Sequence, residues 1–209
     1  MLLEEIASTL QTGNCRKVKE LVNQAIEEKI PVRDILEKGL IAGMDVIGEK
    51  FKKNEIFIPE VLIAARAMNQ ALEIVKPLLK ESGVKEKGRA CIGTVQGDLH
   101  DIGKNLVKIM LESKGFEVID LGTDVSPEAF VKAAIENDCS IIGCSALLTT
   151  TRPVMQDVVK AVEAAGLKDK VKVMIGGAAV SDEFREQIGA DRYTTDAATA
   201  ADAALAYLA

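Results

Sequence analysis

From Arg89 onward, short apolar runs alternate with longer amphipathic runs five times. That alternation leaves few architectures open. The spacing predicts strands near residues 90–95, 117–120, 141–145, 171–175 and 192–194, and helices near 103–113, 127–137, 152–165, 182–188 and 197–208. Strands that read as continuous apolar runs belong to parallel sheets covered on both faces. Right-handed crossovers then give a doubly wound, flavodoxin-like (Rossmann-like) parallel five-stranded sheet, with strand order 2-1-3-4-5. Ser126 before Pro127 and Ser181 before Asp182 read as helix caps. In this order the topological switch lies between the first and third strands. The loops leaving them, 97–104 and 145–152, therefore flank one crevice, and the Gly176-Gly177 turn lines its far side.

Upstream the pattern is helical throughout. Leu3, Ile6, Ala7 and Leu10 share a stripe that Gly13-Asn14 ends, and Val18, Leu21, Val22, Ala25 and Ile26 form a second. Pro31 suits the first turn of a third helix, whose stripe is Val32, Ile35, Leu36, Leu40, Met44, Ile47 and Phe51. Lys53-Asn54-Glu55 breaks it, and Pro59 opens a fourth through Val61, Leu62, Ala65, Met68, Leu72, Val75 and Leu79. Short connections between four such helices predict an antiparallel bundle. The chain is thus expected to be α plus α/β, with an N-terminal four-helix domain over residues 1–86 and an α/β domain over 87–209. The change of character falls near Gly83 to Gly88.

Composition narrows the function. The chain has 209 residues, 48% of them hydrophobic, which suffices for two cores. Aromatic residues are only 3% and the net charge is −6, so a nucleic-acid partner is not expected. The acidic balance also disfavours an anionic membrane surface, and no run approaches the roughly 20 apolar residues of a span. Glu4 and Glu5, with no basic start, do not read as a signal peptide, so the expected location is cytoplasmic. Cys15, Cys91, Cys139 and Cys144 form no Cys-x-x-Cys pair, and Cys91 and Cys144 read as small buried hydrophobes.

The loop after the first strand reads Gly97-Asp98-Leu99-His100-Asp101-Ile102-Gly103-Lys104-Asn105 and holds the one histidine of the chain. A lone histidine is commonly a surface or structural residue. Here Asp98 stands two residues back, placed to accept the proton of one ring nitrogen. That fixes the tautomer and raises the basicity of the other nitrogen, as around metal-bound imidazoles. Asp101 is a second candidate partner. A bare protein metal site needs three or four protein ligands, which this chain does not easily supply. A macrocycle brings four in-plane nitrogens and needs only one from the protein. His100 therefore reads as an axial ligand to a macrocyclic metal. Haem pockets are apolar slots, whereas Ser145, Thr149, Thr150 and Thr151 put four hydroxyls beside this crevice. That polarity favours the cobalt of a corrinoid with a nucleotide side arm. Thr150 or Thr151 before Arg152-Pro153 also reads as a helix start. Gly176-Gly177 serves either a tight turn or the close approach of a flat ligand.

Two other readings of the loop are weaker. Five residues separate Gly97 from Gly103 where a phosphate loop has four, and Asn105 replaces the magnesium-binding Ser or Thr. No Gly-x-Ser-x-Gly elbow supports a hydrolase.

Asp98-x-His100-Asp101-x-Gly103, then Ser145-x-Leu147, then Gly176-Gly177, resembles the signature of the B12-binding domains of methionine synthase and corrinoid-dependent methyltransferases. The upstream half resembles that family's four-helix cap, through Phe51 and the run Phe57-Ile58-Pro59-Glu60-Val61-Leu62 to Met68. The resemblance covers nearly the whole chain. It implies cobalamin (methylcobalamin or a related corrinoid) held along Gly97, Asp98, Leu99, His100, Asp101, Ile102 and Gly103. His100 would be the lower axial ligand to cobalt, taking the place of the benzimidazole tail, with Asp98 as its partner. Thr151 would be the third member of the relay, where the family usually has Ser. The resemblance further implies Ser145, Leu147 and Thr149 beside the buried tail, and Gly176, Gly177 and Ala197 lining the groove. Phe51, Ile58, Val61 and Leu62 would cover the methyl face, although each fits ordinary bundle core equally well.

The activity so implied is that of a carrier. A methyl group on cobalt passes from a substrate-specific methyltransferase to a second one serving tetrahydrofolate or coenzyme M, with a reductive activase as a further partner and no catalytic residue in this chain. Methanol, methylamines, betaines and aryl methyl ethers are all open as donors. One rival is the small B12-binding subunit of a mutase, which the helical cap disfavours. Another is a B12-based sensor, for which a basic or helix-turn-helix module is expected and none is evident.

Overall fold

The computed structural model describes residues 1–81 and 86–208. Its contacts divide the chain into two compact units, residues 1–86 with 113–115 and residues 87–112 with 116–209. Of the change of character expected near Gly83 to Gly88, residues 83–85 lie outside the described residues.

The first unit is helical: α1 (Leu2–Gln11), α2 (Cys15–Glu27), α3 (Val32–Asp34), a π-helical segment (Ile35–Ile41), α4 (Ala42–Lys52) and α5 (Ile58–Glu81). The side chain of Asn14 accepts the Lys17 N–H at 3.1 Å and starts α2. Asn54, in the left-handed region at φ 56°, ends the run through α4. The stripes close on one another, with Ile6, Leu10, Val18, Leu21, Ile35, Leu40, Met44, Val61, Met68 and Val75 buried. The π-helical segment is the feature that a 3.6-residue reading passes over. Buried Ile35 and Leu40 stand five apart, the step of an i→i+5 turn, and the Ala42 N–H donates to the Glu37 carbonyl. A glycine follows at the contact with α1: a Cβ on Gly43 would lie 2.8 Å from the Ala7 carbonyl oxygen.

The second unit alternates β1 (Gly88–Thr94), α6 (Ile102–Ser113), β2 (Phe116–Asp120), α7 (Pro127–Glu136), β3 (Ile141–Ser145), α8 (Val154–Ala164), β4 (Lys172–Gly176), α9 (Asp182–Ile188), β5 (Arg192–Tyr193) and α10 (Ala197–Ala206). Among the described residues the strands form one five-stranded sheet in the order β2-β1-β3-β4-β5. All its pairings are parallel, so the doubly wound expectation holds. Ser126, Ser181 and Asp196 cap α7, α9 and α10 through their side-chain oxygens. Cys91, Val95, Phe130, Ile142, Cys144, Met155, Val158, Ile175 and Phe184 build a core between sheet and helices.

The register positions the site. Thr94 pairs with Ser145 and Ser145 with Gly176, so β1, β3 and β4 end at one level. The loops leaving all three therefore emerge together at the carboxyl edge, where open α/β sheets hold ligands. One boundary needs correcting. The helix expected from Arg152 begins at Val154, with Pro153 at its N-cap and no side-chain cap. Arg152 and Pro153 belong to the turns of the loop, and Thr151 is free for other work. No helix among the described residues is long and apolar enough to cross a membrane.

Candidate functional site

The β1–α6 loop folds around the carboxylate of Asp98, which is fully buried. Its Oδ1 accepts the His100 backbone N–H at 3.1 Å and lies 2.7 Å from the ring Nδ1. Its Oδ2 accepts the Thr151 hydroxyl at 2.7 Å, the Leu147 N–H at 2.9 Å and the Leu148 N–H at 3.3 Å. Burial acts alone to raise the pKa of this carboxyl, but the donors from Thr151, His100 and Leu147 outweigh it. Asp98 is held well below the usual carboxylate range. An ionised Asp98 assigns the ring proton to Nδ1. The lone pair of Nε2 is then left without a hydrogen-bond partner among the described residues, on a side chain 52% exposed. Thr151, Asp98 and His100 thus form a chain of hydrogen bonds from the β3–α8 loop to a presented imidazole nitrogen. Thr151 is a partner of Asp98, not a cap, which resolves its two sequence readings.

The other expected residues divide. Leu99 and Ile102 are each 73% exposed, and Leu147 and Leu148 more than two-fifths exposed, so both loops present apolar surface. Gly97, in the left-handed region at φ 83°, donates its N–H to Asp124 Oδ1 at 2.7 Å. Gly103 has open space where a Cβ would be. Asp101 does not join His100: its carboxylate accepts from the Asn105 side chain at 3.0 Å at the start of α6. Ser145 is half-buried at the end of β3, and Thr149 is exposed in the following loop. Gly177 has φ 123°, and a Cβ there would lie 2.0 Å from the Ala146 carbonyl oxygen. It is required by the fold itself, whereas a Cβ on Gly176 would meet only the Thr194 carbonyl oxygen, at an ordinary 3.8 Å. Ala197 is buried in the first turn of α10 and offers a groove almost no surface.

In the helical unit, Val61 has no exposed surface at all. It is part of the core in this structure. Phe51 is half-buried, and Ile58 and Leu62 are 38% and 46% exposed. Phe57 and Ile63 add to this exposed apolar set.

Sequence reasoning missed three supports of the loop. Thr94, buried at the end of β1, donates its hydroxyl to the His100 carbonyl at 2.8 Å. A hydroxyl inside an apolar strand needs a partner, and that was the available signal. Asp124, at φ 57°, accepts from Gly97 and donates its own N–H to the Asp98 carbonyl at 3.1 Å. Lys104 is buried and paired with Asp120, whose carboxylate also accepts the Gly122 N–H. Burial raises the pKa of Asp120, but Lys104, Gly122 and Lys108 together bring it below its ordinary value.

Protein-family comparisons bear on what this arrangement holds. A family model described as a B12 binding domain matches residues 88–205, and a second one so described matches residues 2–76. The chain belongs to the B12-binding family. Dimethylamine corrinoid protein 3 of Methanosarcina acetivorans is 42% identical over 199 residues, 95% of this chain and 93% of that protein. The crystal structure of the methanol:cobalamin methyltransferase complex MtaBC from Methanosarcina barkeri contains a chain with TM-score 0.87 and 32% identity. That match covers 99% of this chain and 79% of that one. A cobalamin-binding protein from Desulfitobacterium hafniense DCB-2 matches with TM-score 0.83 and 30% identity over 98% of each chain. This B12-binding protein is a corrinoid protein of the methyltransferase kind.

The residues present fit such a cofactor. Among the described residues no group of three or more His, Cys, Asp or Glu side chains is arranged to hold a metal ion. One imidazole nitrogen is presented instead, which suits a metal already held in a macrocycle.

Proposed function

We propose that this B12-binding protein carries a methyl group between two methyltransferases, with His100 as the protein ligand to the cobalt of its corrinoid. When bound, the corrinoid supplies a cobalt centre able to accept and release a methyl group. The observation that carries the reading is the Thr151–Asp98–His100 chain, which ends on an unpartnered imidazole nitrogen. The remaining work falls to this chain's own residues. Asp98 orients the ring and keeps the proton on Nδ1, so that Nε2 is the donor atom. Thr151 and the Leu147 and Leu148 N–H groups keep Asp98 ionised and fixed. Leu99, Ile102, Leu147 and Leu148 offer exposed apolar surface on the two loops that carry His100 and Thr151. Gly97, Gly103, Ser145, Thr149, Gly176 and Gly177 line the space beside it.

The helical unit would act as a cap, presenting Phe51, Ile58 and Leu62 to the methyl group and moving aside for each partner. The donor-side partner is a methyltransferase specific for a small methylated substrate. The acceptor-side partner serves tetrahydrofolate or coenzyme M, and a reductive activase restores the cofactor when it is oxidised. The names of the relatives support this reading over that of a mutase subunit or a sensor.

The test is the visible spectrum of bound cobalamin. His100→Ala is expected to shift it, because the imidazole that would hold the cobalt is removed. A spectrum identical to that of the unsubstituted protein removes His100 from the coordination sphere.

A further inference from the structure

We propose that Thr94 is a positioning residue for the imidazole of His100, acting on cobalt coordination only through that side chain. The inference rests on the reading of His100 as the axial ligand and extends it to a residue outside the Thr151–Asp98–His100 chain.

Thr94 is the last residue of β1 and has no exposed surface. Its own backbone is already committed: its N–H donates to the Gly122 carbonyl, and its carbonyl accepts the Val125 N–H, both at 3.0 Å. The strand therefore does not need the hydroxyl. Its neighbours Ile92 and Val95 are buried apolar residues, and valine has the same shape as threonine. Burying a hydroxyl in such surroundings is unfavourable unless it finds a partner. Its one hydrogen bond among the described residues goes to the His100 carbonyl at 2.8 Å.

That bond completes the restraint on the histidine. Asp98 takes the His100 N–H and the ring Nδ1. Asp124 holds the turn one step earlier, through the Gly97 N–H and the Asp98 carbonyl. Neither reaches the peptide that follows His100. Thr94 does, from the rigid end of a central strand. With the hydroxyl removed, the 100–101 peptide loses its restraint, and only the two bonds to Asp98, from the His100 N–H and from Nδ1, aim Nε2. A ligand atom displaced by a fraction of an ångström binds its metal less well, so the effect appears in coordination and not in folding.

The experiment measures the affinity of the full-length protein for cobinamide, a corrinoid with no base of its own, by equilibrium dialysis. Thr94→Val and Thr94→Ser are made alone and combined with His100→Ala. Thr94→Val is expected to weaken binding about threefold to tenfold, the size of one net hydrogen bond. In the His100→Ala background the same change is expected to cost less than about twofold, because the group it positions is gone. Thr94→Ser keeps the hydroxyl and should bind within about twofold of the unsubstituted protein. Thr94→Ala serves as a second hydroxyl-free variant should the valine protein not fold. Unchanged affinity in the hydroxyl-free variant, or an equal loss in both backgrounds, overturns the proposal. If His100→Ala itself binds cobinamide as tightly as the unsubstituted protein, it is the reading of His100 that has failed.

Discussion

The two units bury very different things. Residues 1–81 bury no polar or charged side chain among those described, and their interior is aliphatic with small residues at the close contacts. The α/β unit buries Thr94, Asp98, Lys104 and Thr151, all at the carboxyl edge of one sheet, while a fifth buried polar residue, Ser113 at the end of α6, groups with the helical unit. Burying polar groups costs stability unless each is partnered, and all four at the sheet edge are. The difference teaches where shape is fixed by chemistry and where by volume. The helical unit tolerates any apolar filling of the right size, whereas the site tolerates only residues that complete its hydrogen bonds.

Substitutions can break or sharpen that contrast. Asp98→Ala strips five donors of their acceptor in a buried place and should cost the cofactor-free protein about 3 kcal/mol or more, read by urea unfolding. Thr151→Val removes one donor to an ionised acceptor and should cost about 2 kcal/mol, with Thr151→Ser restoring most of it. In the helical unit, Val61→Ala should cost about 1.5–2 kcal/mol from lost burial alone and leave the spectrum of bound cobalamin untouched. Leu62→Ala, at a half-exposed site, should move stability by no more than about 0.5 kcal/mol, while hastening loss of the methyl group from the loaded protein. If Val61→Ala altered the spectrum and Leu62→Ala did not alter methyl loss, the division between core and cap would be redrawn.

Acid sharpens the same comparison. The pKa of Asp98 is lowered in the folded state, so its contribution is complete above the unfolded value near 4 and is lost as pH falls below it. The stability gap between the unsubstituted protein and Asp98→Asn should therefore be constant above about pH 5 and narrow in more acid solution. Thermal melts at a series of pH values measure it, and a gap independent of pH would mean that folding does not lower the pKa of Asp98.

How much of this was legible in the sequence follows the same divide. The parallel doubly wound sheet was readable because strand hydrophobicity and crossover handedness leave few arrangements, of which the chain adopts β2-β1-β3-β4-β5. The pairing of Asp98 with His100 was readable because a turn two residues long brings them together. Thr94 and Asp124 were not picked out, because their partners depend on strand register and on loops brought together by the fold. Val61 and Leu62 could not be told apart, since neighbouring residues on a helix differ only in the face they show, and the stripe covers both. The π-helical segment was hidden for a related reason: Leu36 and Leu40 keep an ordinary four-residue step, so the five-residue step from Ile35 to Leu40 leaves no break in the pattern.

The central claim is that the chain's one histidine donates a nitrogen to cobalt. Electron paramagnetic resonance of the reduced, cobalt(II) form of bound cobinamide tests it most directly, in protein grown with histidine labelled with 14N or 15N. Each cobalt line should be split into three by the 14N nucleus and into two in the 15N protein, and the splitting should vanish in His100→Ala. An unsplit spectrum, or a splitting that survives the loss of His100, would contradict it.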